Sequence, residues 1–134
     1  MNQERTRLPS GVLLAAMLAY CAASLFHFAH NAEFLDAYPN LPEWLTRLQV
    51  YAAWLSVTAV GVLGLLLVRS RFALRGLAVI ALYAGLGFDG LAHYAVAPVS
   101  AHTPAMNLSI GLEVVMATLL LGVVIAHAIG RIRS

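Results

Sequence analysis

The sequence predicts an all-α integral membrane protein, a single four-transmembrane-helix bundle with both termini cytoplasmic. Three observations predict it. The 134-residue chain is 61% hydrophobic and only 10% charged, with a mean hydropathy of +0.82. That is more apolar surface than a soluble domain of this length can hide. Four apolar stretches of about 20 residues or more are each long enough to cross about 30 Å of hydrocarbon. The arginines fall between these stretches in the pattern of membrane topology signals.

The first stretch, residues 9–31, follows Arg5 and Arg7. A basic start before an apolar run imitates a signal peptide, but the run exceeds an ordinary h-region, so an uncleaved first helix is expected. The other stretches cover residues 42–68, 72–97 and 104–129. Pro9, Pro42 and Pro104 suit first-turn positions, where a missing N–H is harmless. Thr103 is the expected N-cap of the fourth.

Arg69, Arg71 and Arg75 lie between the second and third stretches, and Arg131 and Arg133 follow the fourth. With four crossings these positions share one side with the N-terminus, and Arg47 alone lies opposite. The positive-inside rule makes the arginine-rich side cytoplasmic. The expected setting is a bacterial inner membrane, with loops 32–41 and 98–103 in the periplasm. Tyr38 and Trp44 fit an interfacial aromatic belt, in a turn lying on the membrane surface or closing as a lid.

The pI is near 9.0, yet the net charge is only +2 and the chain has no Lys. No basic patch alternates with aromatics, which excludes a nucleic-acid surface. The basic turn 69–75 suits anionic lipid. Expected partners are membrane lipids and, for so small a bundle, further copies of the chain or a larger membrane complex. Glycines in the last three stretches allow close helix approach. The single cysteine, Cys21, forms no internal disulfide and is read as a packing residue.

Function is expected from polar residues inside apolar stretches. The chain has six acidic residues, and two of them, Asp89 and Glu113, fall within such stretches. A charged Asp at a helix centre costs about 2.5–3.5 kcal/mol on insertion scales. His27, His30, His93, His102 and Met106 fall toward the same side of the membrane. On continuous helices, Asp89 and His93 lie about 40° apart on one face. Tyr20, Ser24 and His27 share a face of the first helix, and Met106, Ser109 and Glu113 a face of the fourth. Asp89 and Glu113 then sit at similar depth, roughly 12–14 Å from the periplasmic ends. No Arg or Lys lies within the spans to pair with them, so a proton or a metal ion must compensate the charge.

Imidazole and carboxylate ligands suit copper or zinc, with iron also accommodated. The expected metal ligands are Asp89, His93, His27, His102, His30 and Glu113. Glu113, or alternatively Asp89, is also the expected general base if an open coordination position supports hydrolysis or oxygenation of a lipid-like substrate. The Asp89-x3-His93 pair followed by a further His resembles the copper-ligand arrangement in one membrane subunit of particulate methane monooxygenase. The set is also similar to the His, Asp and Ser zinc sites of seven-span ceramidase-like hydrolases. Three other readings stand beside the enzyme. One is a non-catalytic copper or zinc carrier, sensor or accessory subunit, and another a b-type cytochrome using His27 and His93. The third is a proton relay or lipid pocket. His127 lies too near the cytoplasmic end to join the set.

Overall fold

A computed structural model describes residues 10–133; Arg5, Arg7 and Pro9 lie outside the described residues. Among the described residues the chain is all-helical. Helix α1 covers Gly11–Glu33, α2 Arg47–Val68, α3 Ala73–Leu86, α4 His93–Val96 and α5 Pro104–Ile132. With α3 and α4 counted together as Ala73–Val96, four helical segments are long and apolar enough to cross a membrane. They form an antiparallel ring in which α1 packs on α2 and α5, and α3 on α2 and α5.

Local chemistry sets most boundaries. Ser10 caps α1 by accepting from the Leu13 N–H. Thr103 caps α5, with Pro104 in the first turn and the Met106 thioether accepting from the Thr103 N–H. The start of the second helix corrects the sequence expectation. Pro42 lies in a turn closed by the Leu45 N–H on its carbonyl. The helix begins five residues later, where Thr46 and Gln49 form a capping box. Two reciprocal caps satisfy donors that a proline start leaves open.

The half of the bundle nearest Ser10 and Arg133, the proximal half, is packed with apolar side chains and closely approaching backbones. Leu13, Met17, Leu77, Ile80, Leu120 and Val124 form its core. Tyr20 and Tyr83 meet edge to face across the centre, 4.6 Å between ring centres. Gly64 and Gly76 bring α2 and α3 into backbone contact; a Cβ on Gly76 would lie 2.7 Å from the Gly64 carbonyl oxygen. At the opposite, distal end, α1 turns into a 3-10 segment, Leu35–Ala37. The loop to α2 is then clasped to α4 by Asn40, whose amide donates to the Val96 carbonyl at 2.8 Å. Asn40 adopts a positive φ of 57°, which Asn tolerates better than most residues.

The third span is not one helix. The α-helix stops at Leu86, a 3-10 turn covers Asp89–Ala92, and α4 adds one further turn. Gly85, Gly87 and Gly90 lower helix propensity here, by about 1 kcal/mol each relative to Ala. Two of them also permit close approach. A Cβ on Gly87 would lie 2.6 Å from the Tyr20 ring, and one on Gly90 would lie 3.3 Å from Glu113 Oε2. The break presses backbone against α1 and α5 where polar side chains gather.

Candidate metal centre

Helix α1 turns Tyr20, Ser24, His27 and Asn31 inward, all buried. Helix α5 contributes Met106, Ser109 and Glu113, also buried. These two faces match the periodicity because both helices are continuous. Into the space between them α4 places His93, and the loop before α5 places His102, each under 10% exposed. The His27 and His93 rings are 5.5 Å apart and nearly perpendicular. His93 and His102 are 6.0 Å apart. Glu113 Oε2 lies 3.7 Å from His27 Nε2.

Hydrogen bonding fixes the tautomers. The Ser109 hydroxyl donates its one proton to the Met106 carbonyl at 2.9 Å. Its oxygen therefore accepts from His27 Nδ1–H at 3.1 Å, and His27 Nε2 carries a lone pair toward Glu113. His102 Nδ1 must donate to the Pro98 carbonyl at 3.0 Å, so its Nε2 is a buried lone pair with no partner. The Asn31 amide donates to His93 Nε2 at 3.1 Å, which leaves the His93 proton on Nδ1, where it finds no acceptor. All three rings thus carry the proton on Nδ1 and present Nε2. Glu113 Oε2, Ser24 Oγ and Tyr20 OH are likewise buried without a hydrogen-bond partner.

Two of the six expected ligands stand elsewhere. Asp89 is exposed. It lines a groove that it shares with His93, but it does not join the buried cluster. The expected common face assumed an unbroken α-helix, and the break after Leu86 interrupts that phase. His30 sits at the rim, half-buried, with Nδ1 2.9 Å from the Tyr38 hydroxyl. Met106 is buried, but its sulfur is engaged in capping α5. Glu33 is a surface group, paired with Arg47 at 3.1 Å and accepting from Tyr51. His127 hydrogen-bonds Ser10 at the proximal end, remote from the cluster.

Three participants were not expected from the sequence. Asn31 holds His93. Tyr94 packs on His102 and donates to Asn107. Tyr38, expected at the membrane interface, is instead 4% exposed, with its ring 4.9 Å from His93. It closes the cluster from the loop side. Burial holds its phenol above the ordinary tyrosine range. It therefore stays protonated through neutral pH. An Asn directly after a His-x2-His pair was the one available signal for Asn31; Tyr38 carried none.

The donor types are those that suit a transition metal. Two imidazoles on one tetrahedral ion, with metal–nitrogen bonds of about 2.0–2.1 Å, have ring centres roughly 5 Å apart, close to the two separations observed. A ligating His usually donates its other N–H to an oxygen, as His27 and His102 do and His93 does not. Among the described residues no three His, Cys, Asp or Glu side chains already stand together as a ligating set. Closing the set requires His93 Nε2 to leave Asn31, a net loss of about 1 kcal/mol. No protein-family model, curated protein or solved structure matches the chain.

Proposed function

We propose that the chain is an integral membrane metalloprotein, holding one copper or zinc ion, or iron, in the distal half of its bundle. His27, His93 and His102 would hold the ion through Nε2, with Glu113 as fourth ligand or as base. The observation that carries the reading is the surplus of acceptors. Three imidazole lone pairs and a carboxylate oxygen are buried in the distal half, and among the described residues Asn31 is the one proton donor placed against any of them. Buried acceptors without donors are costly, and a cation compensates them. Once bound, the ion would supply Lewis acidity or redox chemistry. With Glu113 as base, taking a proton from a reacting group, the protein would be a hydrolase or oxidoreductase acting on a lipid-like substrate. A carrier, sensor or accessory subunit needs the same ligands without the base.

Membrane insertion is part of the proposal. It is supported by the four apolar segments and by large exposed side chains such as Leu48, Leu55, Leu66 and Ile125 around the bundle. Arg69, Arg71, Arg75, Arg131 and Arg133 gather at the proximal end. This favours cytoplasmic termini and a periplasm-facing cluster in a bacterial inner membrane.

The test is elemental analysis of detergent-purified protein beside a His27→Ala, His102→Ala variant. The expected result is one Cu, Zn or Fe per chain, lost in the variant while helical circular dichroism persists. Protein from metal-supplemented growth without metal, and no uptake by stripped protein, would sink the reading. A proton relay would then take its place. The specific observation favouring it is the approach of His27 Nε2 to Glu113 Oε2, with Ser24 and Tyr20 beyond. The edge-to-face contact of His27 and His93 leaves no slot for a macrocycle between them, so the geometry does not favour a b-type cytochrome.

A further inference from the structure

Beside the cluster, between α1, α2 and the broken third span, runs an open groove of about 340 Å³. His93 forms part of its lining. Phe28, Leu45, Val50, Ala53 and Val96 supply apolar wall. Polar side chains interrupt it, Asn40 and Gln49 near the loop and two further acceptors beside His93. Asp89 is exposed there and makes no hydrogen bond or ion pair among the described residues. Asn31 is 9% exposed, and its Oδ1 is buried without a partner.

Among the described residues no cation pairs with Asp89. The sequence contains no Lys, and Arg47, the one arginine described at the distal end, is held by Glu33. A carboxylate on an apolar surface draws its counter-charge from whatever occupies the groove. A hydroxyl head brings one donor and no charge, whereas a primary ammonium brings three donors and a positive charge to meet the carboxylate. The apolar wall suits a hydrocarbon chain.

We infer that this groove binds a single-chain aliphatic amine, its ammonium held by Asp89 and Asn31 and its chain along Phe28, Val50 and Val96. The inference rests on the proposed membrane reading and names the substrate class of the neighbouring centre, because the amine head would lie beside His93. It does not require the metal, so chelator-stripped protein is used for the test and a failed metal reading leaves it standing.

Native mass spectrometry from a non-ionic detergent at pH 7 would count bound dodecylamine and dodecanol. One dodecylamine per chain is expected, at least about tenfold tighter than dodecanol, as charge-assisted hydrogen bonds provide. Asp89→Asn should erase the preference while helical content stays unchanged. Asp36→Asn, at an exposed acid outside the groove, should keep it. Ala53→Phe fills the groove and should lose both ligands. Equal affinities in the unsubstituted protein, a preference surviving Asp89→Asn, or dodecylamine binding surviving Ala53→Phe would overturn the inference.

Discussion

The two halves of this bundle are built from the same helices by opposite rules. The proximal half buries Leu13, Leu77, Ile80, Leu120 and Val124, with the Tyr20 and Tyr83 phenols as the ionisable groups of that cluster. Its glycines set backbone against backbone, as at Gly64 and Gly76. The distal half buries three histidines, a glutamate, two serines and an asparagine. Several of their polar atoms lack partners there. Its glycines set backbone against side chains, Gly87 against Tyr20 and Gly90 against the Glu113–His27 pair. Predominantly apolar packing holds the helices together in the proximal half. The polar half spends part of that stability on groups that the described residues leave unpaired, which is the usual relation between scaffold and site.

The largest break in this contrast should come from the proximal half. Gly76→Leu drives a side chain into the Val68 and Gly64 backbone, where neither neighbour can yield. Loss of the folded, monodisperse bundle is expected on size exclusion and circular dichroism, whether or not metal is present. A smaller and more selective effect should follow Ser109→Ala. It removes the acceptor that fixes the His27 tautomer while the helices stay packed. Metal affinity should fall by about 10–100-fold, as for other lost outer partners of a ligating His. Competition with a chromophoric chelator measures this, and an unchanged affinity would argue that His27 is not a ligand.

The smallest effect should come from Tyr38→Phe. It keeps the ring over His93 and removes only the hydrogen bond to His30, worth about 0.5–1.5 kcal/mol. Metal exchange into stripped protein should quicken by a few-fold with little change in affinity. A large loss of affinity would instead make Tyr38 part of the centre.

How much of the site was legible follows the continuity of the helices. On α1 and α5 the 3.6-residue period was enough. Ser24 and His27, and Ser109 and Glu113, are buried together as their spacing implies, because nothing interrupts those helices. On the third span the same period misplaced Asp89. Gly85, Gly87 and Gly90 were visible, but glycines in an apolar run indicate close packing as readily as a break. Gly87 and Gly90 lie under Tyr20 and Glu113, contacts made only when three helices meet. Tyr38 and His102 belong to loops, whose sequence carries no periodicity to orient a side chain.

Composition and hydrophobic run length by themselves determined an all-helical chain with four segments fit to cross a membrane, since both depend only on local chemistry summed along the chain. Capping chemistry at Thr103 and Pro104 likewise determined the start of α5. Tertiary structure alone decided that Tyr38 folds inward over His93, that Asn31 holds that ring, and that Asp89 faces a groove and not the buried cluster. Each of these depends on contacts between segments distant in sequence, and a helix broken by its neighbours no longer carries its own phase.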